Sequence, residues 1–340
     1  ALPLKKGECV SVFGRIQFDY YKSGPGSGGA VNTRYVTGIL DSLKQCPDIK
    51  VNEKLESVYR EWVETRPFDK GNGWAQEPSS QEEMSVSETL AKEAAAQSEA
   101  AVVIIGRTAG EHKDNTAKEG SYLLTSQEEN LLKTVCTAFS RVIVLLNVGN
   151  IIDMKWVKKY NPAAVLYVWQ GGLEGGSGVV DILTGEISPS GKLSDTIAYD
   201  IMDYPSTEGF GDPQRAIYHE DIYVGYRYFE TFSRDKVLYP FGFGLSYTDF
   251  KMECIEFSVK ESDFTEKVLV TNIGNVPGKE VIQIYAEAPQ GVLGKATRSL
   301  CAFAKTKNLQ PGQSETLEFV VPFSRLCSYD ASGIKGFRSA

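Results

Sequence analysis

At 340 residues the chain is long enough for two domains, each able to bury a core without disulfide or metal staples. Hydrophobic residues make up 42% and charged residues 24%, and no apolar run approaches the roughly 18 to 20 residues a bilayer span requires, which excludes the disordered and membrane-spanning classes. The formal charge of -8 opposes a nucleic-acid partner, whose phosphates need a concentrated basic surface, and leaves a neutral ligand as the easier one to accept.

The pattern of the first 200 residues is that of βαβ units and a mainly parallel sheet. Cys9–Phe13 reads as the first strand, and the glycine-rich run Ser23-Gly-Pro-Gly-Ser-Gly-Gly29 leads into a helix expected from Asn32 to Lys44. Residues 66–84 read as an irregular excursion. A helix over Ser87–Ser98, a fully apolar strand over Ala101–Ile105, and a helix over Ser126–Ala138 opened by a Ser126/Glu129 capping box come next. Strands at Val142–Leu146 and Ala163–Val168 precede a second glycine-rich run, 170–178, and a helix near Val179–Leu183.

Past Thr196 helical stretches thin out and aromatics crowd in, from Tyr218, Tyr223, Tyr226 and Tyr228 to Tyr239, Phe243 and Tyr247, as in a long wrapping connection. Beyond Phe250 the alternation is that of strands, at Lys267–Thr271, Glu280–Ala286 and Glu315–Val321, with turns at Asn-Ile-Gly-Asn and Leu-Gln-Pro-Gly. The expected architecture is an α/β sandwich over 1–204, a linker over 205–249 and a β-sandwich over 250–340.

Several side chains invite a chemical reading. Cys9, Cys46, Cys136, Cys254, Cys301 and Cys327 are too scattered for a zinc site or a disulfide framework, so reduced, buried thiols are expected. His219 beside Glu220 has no second ligand in range, and Asp153 reads as a helix-start cap. The glycine-rich loop after the first strand would suit a phosphate only with a GxGxxG or P-loop spacing, which it lacks, so a tight turn with Lys22 and Ser23 as polar ligand contacts is preferred. The aromatic stretch serves packing between domains better than sugar stacking. No secretion signal is visible, which makes a cytoplasmic location the expectation, and Ala1-Leu-Pro-Leu4 reads as the edge of a folded unit whose natural N-terminus lies upstream.

Taken together, Lys22-Ser-Gly-Pro-Gly-Ser-Gly28, Leu146-Asn-Val-Gly-Asn150, Ser188-Pro-Ser-Gly-Lys-Leu193, Tyr223-Val-Gly-Tyr-Arg-Tyr-Phe229 and Tyr239-Pro-Phe-Gly-Phe-Gly-Leu-Ser-Tyr247 resemble glycoside hydrolase family 3 over nearly the whole chain. Leu309-Gln-Pro-Gly-Gln313 looks like the turn of that family's fibronectin type III-like module. The resemblance implies an α/β/α sandwich followed by a fibronectin-like β-sandwich, without the family's (β/α)8 barrel, which precedes these domains in most members and follows them in a minority.

It also implies retaining β-glycosidase chemistry, most naturally a β-glucosidase, in which one carboxylate attacks the sugar and another protonates the leaving oxygen. In the family the nucleophile is a barrel aspartate, often in a Ser-Asp-Trp context, and the acid/base is often a sandwich-loop glutamate in Gly-Glu-Gly-x-Asp-Arg. Gly110-Glu-His-Lys-Asp-Asn115 follows the strand Ala101–Ile105, at the end of a parallel strand where open α/β sheets place ligand loops. The acid/base role is therefore carried to Glu111, with Glu119 the next candidate, and Asp114, which matches the motif's aspartate, joins Lys22 and Ser23 as an expected substrate contact. His112, Lys113 and Asn115 depart from the motif, which leaves Lys113 or Arg107 as replacements for its arginine. Ser194-Asp195-Thr196 lacks the tryptophan of the nucleophile motif. The implied partners are a β-linked glucoside or oligosaccharide, the barrel of the same polypeptide, and a homodimer as an admissible assembly, with no cofactor. Two other readings stand beside it: a non-catalytic carbohydrate-binding or scaffolding protein, and a flavodoxin-like nucleotide or flavin binder.

Overall fold

The computed structural model describes residues 1–29, 31–330, 333 and 335–338, arranged in two compact units, Ala1–Glu186 and Ile187–Ala340. The last residues of the β-sandwich expected over 250–340 lie partly outside the described residues. No helix among the described residues is long and apolar enough to cross a membrane.

In the first unit the elements run β1 (Cys9–Phe13), α1 (Ile39–Gln45), β2 (Lys50–Val51), α2 (Glu53–Glu64), α3 (Glu88–Ala95), β3 (Ala100–Arg107), α4 (Ser126–Ala138), β4 (Val142–Val148), α5 (Lys155–Tyr160), β5 (Ala164–Tyr167) and α6 (Gly175–Thr184). The five strands form one parallel sheet in the order β2-β1-β3-β4-β5. Every residue of β3 and β4 is buried, and apart from Arg107 and Asn147 near their carboxyl ends these strands are apolar throughout rather than alternating. One face of the sheet, carrying Val10, Val12, Ile104 and Leu145, packs against Ile39 and Leu43 of α1 and Val180 and Leu183 of α6. Phe13 points to the other face, where its ring meets Tyr59 of α2 and Phe139 at the end of α4 edge-on. The result is the expected three-layer α/β/α sandwich.

Three local expectations shift. The helix expected from Asn32 begins only at Ile39, because Thr37 N donates to Leu173 O and Gly38, capped by Asp41, opens the first turn. The capping box of α4 is Thr125/Glu128, one residue before the expected Ser126/Glu129 pair. Glu129 is drawn away to Lys159 at 2.6 Å and to Tyr160. Asp153 lies one residue before the N-cap of α5, Met154, and receives Lys155 N at 3.5 Å. The twelve-residue α2 and the short β2 and α5 have no counterpart among the expected elements.

The second unit continues with β6 (Ile197–Ala198), α7 (Tyr226–Phe232), β7 (Val237–Tyr239), β8 (Phe250–Val259), β9 (Asp263–Asn272), β10 (Val281–Glu287), β11 (Arg298–Lys305), β12 (Ser314–Pro322), β13 (Ser328–Asp330) and β14 (Gly336–Arg338). Strands β12-β9-β8 form one antiparallel sheet and β10-β11 another, closing on Val268, Val270, Ile282, Ile284, Phe319 and Val321. Residues 187–204 cluster with the second compact unit. β6 pairs with β7, and Lys192 reaches both Gly244 O and Glu280 at 2.9 Å. Aromatics of the connection pack on one another, as Tyr226 does on Phe241, whereas Tyr218 is 89% exposed. His219 is exposed as well.

All six cysteines are free, and the expectation that they are buried holds fully only for Cys301: Cys254 is exposed and the other four are half-buried. Cys254 lies on β8, an edge strand whose residues are mostly open to solvent.

One buried carboxyl makes stability depend on pH. Burial pushes Glu83 up to about 8, against the opposing pull of the Arg15 and Met84 amides that donate to it, at 2.9 and 2.8 Å. The folded chain thus keeps a proton that the unfolded chain sheds above its ordinary value of 4.5. The stabilisation is complete below that value and is lost as pH rises toward 8, a change on the order of a few kcal/mol. Thermal unfolding followed from pH 5 to pH 8.5 is expected to show a falling midpoint, with the slope largely removed in Glu83→Gln. An equally steep slope in the variant would assign it to other groups.

Candidate active site

The site forms at the carboxyl edge of the parallel sheet, where the loops after β1, β3, β4 and β5 meet. Asn147, the sixth residue of β4 and fully buried, gathers three of them. Its Oδ1 accepts from Tyr21 N at 2.8 Å, and its Nδ2 donates to Tyr21 O at 3.0 Å and Trp169 O at 2.7 Å. A single amide thus replaces the ladder hydrogen bonds that the strands no longer supply once they end.

The loop after β3 carries Glu111. Its base is stapled by Arg107, the last residue of β3 and 2% exposed. The guanidinium binds both oxygens of Glu128 at 2.5 and 2.6 Å and donates to the carbonyls of Ser121 and Leu123 at the far end of the loop. Arg107 is therefore committed to the loop's foot rather than standing in for the motif's arginine beside Glu111. Lys113 does not stand in either: its backbone closes a turn, its N–H donating to Gly110 O at 3.0 Å, and no ion pair of its ammonium is found among the described residues. The bracing comes instead from Asn115, whose Nδ2 donates to Ile151 O at 2.8 Å, with Asn150 Nδ2 donating to Lys113 O at 3.4 Å.

Glu111 itself is exposed, as are Asp114 and Glu119. Glu119 is turned to the start of α4, accepting Ser126 N at 3.1 Å. Glu111 is turned to the glycine-rich loop after β1: its Oε2 accepts from Ser27 N at 3.2 Å and Ser27 Oγ at 3.3 Å. The loops touch so closely that side chains are excluded. A Cβ on Gly24 would lie 1.6 Å from Ala109 O, and one on Gly26, whose φ is +91°, would lie 2.7 Å from the Glu111 side chain. The glycine-rich loop is therefore a mould for the Glu111 loop. It is not a phosphate cradle, because Gly24 and Gly26 are spent on this contact and α1 begins well beyond the loop.

Lys22 and Ser23 lie on the same loop, half-buried and 3.4 Å apart, with Lys22 also donating to Gly29 O. They line an open cleft of about 620 Å³ together with Gly26, Phe68, Trp74 and Glu77. Asp114 does not line it. The sequence reading missed Trp74, 56% exposed, whose ring meets His112 edge-on at 6.1 Å, and it missed Ser27 and Asn115. Only proximity in the fold marks them, since nothing local distinguishes a loop serine or tryptophan. Among the described residues no cluster of His, Cys, Asp and Glu could hold a metal, and Ser194-Asp195 is exposed in the other unit.

Residues 1–247 match the glycosyl hydrolase family 3 C-terminal domain and residues 280–335 the fibronectin type III-like domain. The chain belongs to glycosyl hydrolase family 3. This family 3 chain is 52% identical over 339 residues to a beta-glucosidase of Ruminococcus albus and 40% identical over 375 residues to beta-glucosidase A of Butyrivibrio fibrisolvens. Each alignment covers 98% of the chain but only 35% and 44% of those relatives. Among solved structures, it is similar to a beta-glucosidase from Paenibacillus barengoltzii, at 54% identity and TM-score 0.95, over 98% of this chain and 37% of that one. It is likewise similar to beta-glucosidase 3B from Thermotoga neapolitana solved with glucose, at 35% identity and TM-score 0.90, over 97% and 47%. The family 3 chain thus spans less than half the length of these relatives.

Proposed function

We propose that this chain supplies the acid/base half of a retaining β-glucosidase, with Glu111 as the proton donor and acceptor and a barrel outside the chain supplying the nucleophile. The observation that carries the reading is the placement of Glu111: an exposed carboxyl at the carboxyl edge of a parallel sheet, held by the moulded contact with the glycine-rich loop. The relatives named beta-glucosidases support the substrate class, a β-linked glucoside, and their greater length supports a further domain. Glycoside hydrolysis with retention requires a second carboxyl roughly 5 to 5.5 Å from the first, so Glu111 acts only where another element brings that group to it. Lys22 and Ser23, which line the cleft, are proposed as polar contacts to the substrate, and Asp114, exposed on the Glu111 loop, as a further one.

The purified 340-residue chain is expected to release no aryl alcohol from aryl β-glucosides, and a polypeptide joining it to a family 3 barrel is expected to turn over. Turnover by the chain alone would place a nucleophile inside it and overturn the division of labour.

A further inference from the structure

The two oxygens of the Glu111 carboxyl are not equivalent. Oε2 accepts both the amide and the hydroxyl of Ser27, at 3.2 and 3.3 Å, and no described residue donates to Oε1. The arrangement is fixed from below, because Gly26 leaves room for the Glu111 side chain and Gly110 passes Pro25 O so closely that a Cβ there would lie 2.8 Å from it.

We propose that Ser27 is a positioning residue for the acid/base carboxyl, holding Oε2 so that Oε1 is the oxygen that gives and takes the proton. The proposal rests on the acid/base reading of Glu111. An oxygen that already accepts two hydrogen bonds is the carbonyl oxygen of the neutral acid, since its lone pairs are engaged, and the proton accordingly sits on the other. In the first step the Oε1–H bond breaks and the proton passes to the glycosidic oxygen. The bond from that oxygen to the anomeric carbon breaks with its electron pair, and the barrel carboxylate bonds to the carbon. In the second step water loses a proton to Oε1, its oxygen bonds to the anomeric carbon, and the bond from that carbon to the barrel carboxylate breaks with its electron pair, which frees the sugar and restores the carboxylate. Ser27 donates throughout, and its hydrogen bonds strengthen when the carboxylate charge appears.

Ser27 is exposed, so its replacement is expected to leave the fold intact. In the polypeptide that includes the barrel, Ser27→Ala removes the hydroxyl donor and keeps the amide. It is expected to lower kcat/KM about three- to tenfold for alkyl β-glucosides, whose leaving oxygen needs the proton, and to change dinitrophenyl β-glucoside by less than about twofold. Ser27→Thr is expected to restore the alkyl rate, and the unfolding midpoint to stay unchanged. A purely structural serine would lower both substrates alike. That outcome, an unaffected alkyl rate in Ser27→Ala, or a folded Ser27→Thr that restores nothing would each overturn the proposal. Glu111→Ala measured in parallel separates the two ideas: if it shows no leaving-group dependence, the acid/base reading itself fails, whereas strong dependence there with none in Ser27→Ala removes only the role of Ser27.

Discussion

Glu111→Ala, in the polypeptide that includes the barrel, is expected to slow alkyl β-glucosides by about 10²- to 10⁴-fold, the range positioned proton transfer contributes. Aryl glucosides whose leaving groups depart without a proton are expected to keep nearly their full kcat/KM, because formation of the glycosyl ester does not then need the acid. Their turnover still falls, since no base remains to deprotonate the water that breaks the ester. Azide is already a nucleophile and needs no base, so it is expected to accelerate that second step and to yield the β-glucosyl azide. Equal losses on both substrate classes, with no effect of azide, would remove Glu111 from the chemistry. Glu119→Ala is the matched control: its carboxylate is occupied at the start of α4, so the leaving-group dependence is expected to stay as in the parent.

Arg107→Ala carries the largest expected effect on stability. Glu128 is 5% exposed, and both its oxygens face the guanidinium, so deleting the arginine strands a buried carboxylate and frees the Ser121 and Leu123 carbonyls. Losing one partner of a buried pair costs about 3 to 5 kcal/mol. Because the capping box of α4 uses the same glutamate, the helix start loosens too. Denaturant unfolding of the 340-residue chain reads this as a lower midpoint with an unchanged m-value for the first unit. The double change Arg107→Met with Glu128→Leu is expected to recover much of the loss, since an apolar pair of similar volume leaves no charge uncompensated. A single variant within about 0.5 kcal/mol of the parent would mean that water reaches Glu128 and that the pair does not staple the loop.

The origin of the loop's bracing shows why motif matching reached only part of the site. Reading Gly110-Glu111 as the acid/base segment needed only its spacing after an apolar strand and its likeness to a known motif. The departures at His112, Lys113 and Asn115 left its support open, and the two cations offered as replacements do other work: Arg107 holds the loop's foot, and Lys113 contributes its backbone. Asn115 does the bracing with a neutral amide on a carbonyl of the loop after β4. Likewise the glycines at 24 and 26 were legible as a tight turn, but not as the surface on which Glu111 rests.

What the sequence determined by itself was the set of local choices: the wholly apolar runs that become β3 and β4, the helical period over Ser126–Ala138, the alternation beyond Phe250, and the strand-to-loop step that places Glu111 at a sheet edge. These follow from periodicity and turn chemistry, which act over a few residues. The start of α1 at Ile39, the shift of the capping box to Thr125/Glu128 and the pairing of Ser27 with Glu111 were decided by tertiary structure. Each depends on a hydrogen bond or a close approach between segments far apart in the chain, such as Thr37 with Leu173 or Gly26 with Glu111, and such contacts leave no trace in the spacing of residues along one segment.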